Sequence, residues 1–267
     1  MKCIVCIKQV PSTNKVQLDP ETNTIIRDGK QSVVNPFDLY ALEEAVRVKE
    51  KTGGSVTVLS MGIPAAERLL RDALSRGADK ALLLSDRSFA GADTLATSYA
   101  LSLGVRRIGE FDIIFCGKMA VDGDTAQIGP ELAETLGIPH VTEVTEIIEM
   151  GAGFLKVKKS AENCVEILKI QLPALICVVK DINLPRLSSI AGIKYSLTAP
   201  FEMLNADSLN ADTARTGLNG SPTQVVRTFT PQRNNEGVKI TGSFAEQARE
   251  VAAIINGAKI GAKAVTE

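Results

Sequence analysis

Short apolar runs alternate with helical segments four times through the first half of the chain, and this alternation constrains the fold more than any other feature. Each run is brief and dominated by β-branched residues or leucine, as buried parallel strands are. This order is typical of a doubly wound, mostly parallel α/β sheet, in which right-handed crossovers place helices on both faces. We predict this fold for residues 1–200, with strands at Lys2–Ile7, Val56–Met61, Ala81–Leu84 and Ile113–Cys116.

Beyond His140 the pattern changes to four strands in close succession. They read as an antiparallel extension of the sheet, with the last strand returning to the sheet's core. The predicted strands are Val141–Ile148, Phe154–Lys158, Val165–Ile170 and Ala174–Val179.

From about residue 200 the chain is poor in large apolar residues and rich in Asn, Asp, Thr, Ser and Gly. Phe244–Ile255 then regains the apolar periodicity of a helix. A single amphipathic helix after such a segment has no local core to pack against. We therefore predict that residues 201–267 form a C-terminal arm whose helix docks back or contacts a partner subunit.

Composition excludes several classes of function. Thirty Lys and Arg residues against 31 Asp and Glu leave a net charge of −1, so no overall field favours nucleic acid or an anionic membrane. No apolar run approaches membrane length, and we expect a cytoplasmic protein. One histidine and five cysteines, four of them in predicted strands, indicate no metal site. No catalytic acid, base or nucleophile constellation stands out, which favours a protein whose chemistry belongs to a cofactor.

The stretch Phe111–Pro139 combines a strand, a glycine-containing loop and a short helix that ends at Gly137. Backbone can approach a ligand closely at glycine, and the free N–H groups of a first helical turn attract anions. Two interpretations are open. In a phosphate loop, Thr125 and Gln127 face the phosphate while Asp122 or Asp124 caps the helix or holds a ribose hydroxyl. In an ordinary strand-to-helix turn, an Asp or Thr serves only as the N-cap.

Topology independently places a ligand cleft at this position. In a doubly wound sheet, ligands lie outside the carboxyl ends of the strands, at the point where the strand order reverses. Every loop predicted at that edge carries Gly, Pro, Asp or Thr, as a nucleotide cleft requires. These loops are Lys8–Pro11, Met61–Pro64, Asp86–Thr94 and Gly117–Gly129.

The segment GKMAVDGDTAQIGPELAETLGIP resembles the nucleotide-binding segment of the β subunit of electron-transfer flavoproteins. It is most similar to the electron-bifurcating branch, whose β subunit carries FAD instead of AMP. The resemblance covers most of the chain, through CIKQVP, NPFDLYALEEAVRVKEK, VTVLSMG and ALSRGADKALLLSDRSFAGADTLATS. VEILKIQLPALIC is similar to the family's β-subunit signature, although Asn163 and Cys164 stand where that signature tends to have acidic residues or glycine.

The resemblance also implies a set of site residues. An adenine and ribose pocket would come from Cys6, Asn35 and Met61, although Cys6 and Met61 also fit a core position and Asn35 a turn before proline. The loop SDRSFAGADT, which holds Asp93 and Thr94, resembles the FAD-bearing branch, and its small residues would admit a flat ring near the backbone. Its simpler interpretation is a capped surface loop. The pyrophosphate would lie on Asp122, Gly123, Asp124, Thr125, Gln127 and Ile128.

Function follows from the resemblance as an expectation. The chain would pair with an α subunit in a heterodimer, hold FAD and accept a hydride from NADH. Electrons would then be split between the α-subunit flavin and ferredoxin or flavodoxin, in a complex with an acyl-CoA or 2-hydroxy-acid type dehydrogenase. Two alternatives stay open: a conventional β subunit that holds AMP, and a stand-alone adenine-nucleotide-binding regulator.

Overall fold

A computed structural model describes residues 1–12, 32–226, 237 and 239–264, without the side chains of residues 258–264. The chain divides into two compact units, Met1–Val226 and Arg227–Glu267. A small β-excursion expected at Val16–Arg27 lies outside the described residues.

The first unit is organised around a large sheet. Its strands are β1 (Lys2–Cys6), β4 (Ser55–Met61), β5 (Lys80–Leu84), β6 (Ile113–Gly117), β7 (His140–Gly151), β8 (Phe154–Ser160), β9 (Val165–Gln171), β10 (Ala174–Val178) and β11 (Phe201–Leu204). Within the described part of the chain, they pair in the order β11-β5-β4-β1-β6-β10-β7-β8-β9. Two short strands, β2 (Gln9–Pro11) and β3 (Ser32–Val34), form a separate antiparallel pair.

Helices cover both faces of the parallel part of the sheet. They are α1 (Pro36–Thr52), α2 (Glu67–Ser75), α3 (Thr94–Ile108) and α4 (Ile128–Leu136), while the short α5 (Ile190–Ser196) packs against α2. Helices α1 and α2 bury their apolar residues in one core, and α3 and α4 bury theirs in the other. Successive strand residues point alternately into these two cores, which is why the strands are apolar throughout.

Strand order confirms the predicted doubly wound sheet. From β1 the chain moves outward to β4 and β5, then returns to β6 on the opposite side of β1. Order therefore reverses between β1 and β6, which is the switch point where such folds open a cleft. Strand β10 lies between β6 and β7, parallel to both, while β8 and β9 add the antiparallel extension.

The segment after residue 200 contributes more to the first unit than its composition suggests. Strand β11 pairs in parallel with β5 at the sheet edge, and Leu204 and Leu209 are buried in the core beside α3. Such a short strand, with one buried residue, gives almost no periodic signal. The compact unit runs on to Val226.

The second unit contains α6 (Phe244–Ala264). In its first turn the Glu246 carboxylate reaches back to the residue before the helix, and its Oε2 accepts hydrogen bonds from the Ser243 N–H and hydroxyl at 2.8 and 2.7 Å. Phe244, Val251 and Ile254 are exposed, so the helix carries an apolar face. Within the described residues, no helix combines the length and apolarity needed to cross a membrane.

Candidate functional site

The ends of β1 and β6 meet at the switch point through an ion pair. Lys8, just after β1, donates from Nζ to Asp122 Oδ1 at 2.6 Å, and the Asp122 side chain is only 10% exposed. A Cβ atom on the neighbouring Gly123 would meet nothing but Lys8 Nζ within 4 Å, at 3.9 Å. Backbone at Gly123 is therefore open to close approach, and the Asp122 charge is balanced by a cation.

Residues 118–127, which we name the anchor loop, hold a tight backbone conformation. The Asp124 N–H donates to the Ala120 carbonyl at 2.8 Å. Asp124 and Ala126 have φ angles of 52° and 55°, a left-handed conformation that non-glycine residues rarely adopt. Such residues persist where the surroundings fix them, and they cluster at ligand sites.

Helix α4 follows this loop with an uncapped N-terminus. Its N-cap is Gln127, whose side chain makes no capping hydrogen bond. Neither an Asp nor a Thr therefore caps this helix, and Asp122 is paired with Lys8 instead. At the other end Gly137 adopts φ 68°, as its predicted role in stopping the helix requires.

The N-termini of α3 and α4 lie side by side. Thr94 Oγ1 is 3.1 Å from Gln127 Oε1 and donates to Glu131 Oε1 at 3.0 Å. Ser98 Oγ donates to the other oxygen of Glu131 at 3.0 Å. The loop between β5 and α3 therefore borders the anchor loop, as the topology predicted.

Asn35 and Asp38 lie beneath the anchor loop at the start of α1. Asn35 is 1% exposed; its Nδ2 donates to Asp38 Oδ1 and to the Met119 carbonyl, both at 2.9 Å. Asn35 Oδ1 accepts from the Val121 N–H at 3.2 Å. Burial raises the pKa of Asp38 to about 7, while donors from the Lys8 N–H and Asn35 oppose that rise.

Cys6 and Met61 end neighbouring strands and contribute to the core beside α3 and α4. Cys6 is 8% exposed, and the neighbouring thiols of Cys177 and Cys6, together with burial, raise the pKa of the Cys116 thiol. Contact of Cys6 or Met61 with an adenine stays a prediction. Across the described ranges, no group of three or more His, Cys, Asp or Glu residues is arranged to hold a metal.

Asp93 caps α3 and is held on its other side by the chain after residue 200. Its Oδ1 accepts from the Ala96 N–H at 3.1 Å, and its Oδ2 accepts from the Thr223 hydroxyl at 2.9 Å. A Cβ atom on Gly91 would lie 2.7 Å from Leu218 Cγ. Leu218 therefore fills the space that the sequence had suggested for a flat ring beside Gly91.

The structure brings together most of the expected site residues. Asp122, Gly123, Asp124, Thr125 and Gln127 lie between β6 and α4, Ile128 is the first residue of α4, and Thr94 reaches Gln127 directly. Sequence reasoning missed Lys8 and Asp38 as site residues. Lys8 stood directly after the first strand and Asp38 in the first turn of a helix beginning Pro36-Phe37, but neither position showed its partner.

The fold is a doubly wound sheet, and its switch point carries a glycine-containing loop followed by an uncapped helix. These features define an α/β protein with a ligand cleft at the carboxyl ends of its strands. Residues 22–209 match the family described as "Electron transfer flavoprotein domain". The chain therefore belongs to the electron transfer flavoprotein family.

Curated relatives agree with this assignment, and among them this chain is similar to proteins named as the β subunit. The electron transfer flavoprotein subunit beta of Thermoanaerobacterium thermosaccharolyticum is 47% identical over 257 residues, covering 96% of this chain and 98% of the relative. The caffeyl-CoA reductase-Etf complex subunit CarD of Acetobacterium woodii is 43% identical, covering 92% of this chain and 94% of the relative. Protein FixA of Azorhizobium caulinodans is 43% identical, covering 93% of this chain and 90% of the relative.

Proposed function

We propose that this chain is the FAD-holding β subunit of a cytoplasmic heterodimeric electron transfer flavoprotein that works by electron bifurcation. When bound, FAD would supply the redox chemistry, which is acceptance of the two electrons of a hydride from NADH and their transfer one at a time, one to the α-subunit flavin and one to ferredoxin or flavodoxin. A partner dehydrogenase of the acyl-CoA or 2-hydroxy-acid type would exchange electrons with the α-subunit flavin.

The observation that carries this proposal is the convergence of Lys8, Gly123 and the N-terminus of α4 at the switch point. An open backbone at Gly123 fits a pyrophosphate, and the uncapped first turn of α4 offers N–H donors to its negative charge. Lys8 balances Asp122, so the carboxylate next to the phosphate adds little repulsion. Thr125 and Gln127 are exposed on the same loop and would donate to the phosphate oxygens.

FAD is favoured over AMP by the second loop at this edge. A flavin needs a pocket that continues past the pyrophosphate, whereas AMP ends there. Thr94 places the loop between β5 and α3 directly against Gln127, at 3.1 Å, where it would line that continuation. The relative named as a subunit of a caffeyl-CoA reductase-Etf complex supports a flavoprotein that works together with a reductase.

A surface for the partner dehydrogenase is suggested by the segment before and within α5. Leu184, Leu187 and Ile190 are 83%, 84% and 90% exposed, which is unusual for neighbouring large apolar residues. Arg186, between them, is fixed to α1 by ion pairs with Glu43 at 2.8 Å and Glu50 at 2.5 Å. A rigid backbone that presents apolar side chains to solvent fits a protein-docking site.

Nucleotide content of the purified heterodimer tests the proposal. Gentle denaturation followed by chromatography should release two flavins for each pair of subunits. One flavin with one AMP would instead establish the conventional β subunit. A chain that purifies without an α partner or a flavin would establish the stand-alone regulator.

Anaerobic titration with NADH then separates bifurcation from simple electron transfer. We expect NADH to bleach the flavin absorbance assigned to this subunit, followed by reduction of an added ferredoxin or flavodoxin together with a high-potential acceptor. A heterodimer whose β-subunit nucleotide is not reduced by NADH would overturn the bifurcating function.

A further inference from the structure

We propose that Asn35 and Asp38 are positioning residues that hold the anchor loop in its nucleotide-binding conformation. The inference rests on the proposed function, in which that loop binds the nucleotide. Asn35 would act through the loop and not through side-chain contact with the ligand.

The amide of Asn35 is fully committed to protein partners. Both hydrogens of Nδ2 are used, one by Asp38 Oδ1 and one by the Met119 carbonyl, each at 2.9 Å. Its oxygen accepts from the Val121 N–H at 3.2 Å. The residue is only 1% exposed. Its amide therefore holds the Met119 carbonyl and the Val121 N–H at the start of the anchor loop. Neither N–H of the amide is left free to donate to a ligand.

Asp38 extends this contact to both sides of the switch point. Its Oδ2 accepts from the Lys8 N–H at 2.8 Å, at the end of β1. Its carboxylate also lies against Gly117, the last residue of β6. A Cβ atom on Gly117 would lie 2.5 Å from Asp38 Oδ1, so only glycine lets these groups come together.

The pair explains how a strained loop is maintained before a ligand binds. Asp124 and Ala126 follow within a few residues and hold left-handed φ angles that a free loop would abandon. Fixing Met119 and Val121 by hydrogen bonds to the buried Asn35 amide removes much of the loop's freedom in advance. Binding then does not have to supply that ordering, which raises affinity.

Hydrogen exchange on the heterodimer stripped of nucleotide tests the loop contact directly. Asn35→Ala should expose the Val121 N–H and speed exchange in a peptide covering residues 118–124, while peptides from β6 stay protected. Asn183→Ala is the matched control, because its amide also bridges to α1, donating to the Tyr40 carbonyl at 3.0 Å and to Glu44 at 2.9 Å. That control should leave the anchor loop's exchange unchanged.

Nucleotide affinity supplies the second readout. Asn35→Ala should weaken binding about tenfold. Combined with Gln127→Ala, the loss should be smaller than the product of the two single losses, since an unfixed loop no longer presents Gln127. If Asn35 instead contacted the ligand directly, or had only a general structural role, the affinity losses of the two single variants should multiply in the double variant.

Two results would overturn the inference: unchanged exchange over residues 118–124 in Asn35→Ala, or full multiplication of the two affinity losses. If Asn35→Ala does not fold, Asp38→Asn replaces it, since an amide at that position turns a donor toward either the Lys8 N–H or the Asn35 amide N–H. Failure of the proposed function is seen separately, as an unmodified heterodimer that contains no adenine nucleotide.

Discussion

The ammonium group of Lys8 lies 2.6 Å from Asp122 Oδ1 and joins the end of β1 to the anchor loop across the switch point. The two partners differ in exposure, at 41% for the Lys8 side chain and 10% for that of Asp122. Removing the lysine therefore leaves a largely buried carboxylate without its cation, beside the proposed phosphate position.

Lys8→Met should weaken nucleotide binding roughly tenfold, because the unpaired Asp122 carboxylate then repels the phosphate. Methionine retains the apolar stem of the lysine, so packing is preserved. Equilibrium binding of the nucleotide to the stripped heterodimer measures the change. The double variant Lys8→Met/Asp122→Asn should recover much of the affinity; no recovery would mean that Asp122 is not the cause.

Thr125→Val and Gln127→Ala should each loosen the nucleotide without unfolding the sheet. A hydrogen bond to a charged group contributes about 1.5–3 kcal/mol, or roughly ten- to a hundredfold in affinity. Retention of nucleotide through gel filtration gives the first measurement. Thr135→Val, which removes a hydroxyl bonded to the Glu131 carbonyl near the other end of α4, is the control. Unchanged retention in both loop variants would place the phosphate elsewhere.

Protonation of Asp38 should make stability depend on pH. Its pKa is raised from 3.8 to about 7, so between these values the folded protein keeps a proton that the unfolded chain has lost. The free energy of unfolding should therefore fall as pH rises through this window and level off above pH 7. Lys8, the charged group that faces Asp38, opposes the shift and is paired with Asp122.

Urea denaturation of the full chain across this window checks that prediction. Asp38→Asn should reduce the slope of the unfolding free energy against pH, by up to the contribution of one bound proton. The exposed Asp207→Asn should leave the slope as it is in the unmodified protein. An identical slope in Asp38→Asn would contradict the assignment.

Glu43→Gln should destabilise the first unit by about 1–3 kcal/mol. Its side chain is 5% exposed and accepts hydrogen bonds from both Arg47 and Arg186, so the substitution removes the buried charge that these arginines share and turns an amide donor toward them. Glu50→Gln is the comparison, since Glu50 pairs with the same Arg186 but is 52% exposed, and its loss should cost less than about 1 kcal/mol. If urea denaturation gave the same loss of unfolding free energy for both variants, the burial of Glu43 would not explain its contribution to stability.

Truncation before Ser243 should leave the α/β unit folded and abolish the stable heterodimer. Helix α6 exposes Phe244, Val251 and Ile254, an apolar face suited to another subunit. Co-purification with the α subunit measures the outcome, and Ile254→Ser/Ile255→Ser in the full chain tests the face without shortening the tail. A truncated chain that still purifies one-to-one with the α subunit would contradict the arm hypothesis.

Much of this architecture is written in short stretches of sequence. The apolar run at Ile113–Cys116 predicted β6 to within one residue. Gly137 stops α4 in a left-handed conformation, also as predicted. These features depend on periodicity, capping and backbone preference, which act among residues a few positions apart.

Tertiary structure alone decided how the site is supported. Asn35 bonds a carbonyl 84 residues further along the chain, and Lys8 pairs with an aspartate 114 residues away. Leu218 fills the space over Gly91, and β11 completes a sheet edge from a segment that looked too polar to do so. A side chain's local pattern shows that it is polar or small, but its partner depends on which strands become neighbours. That choice is made by the crossovers and packing of the whole sheet.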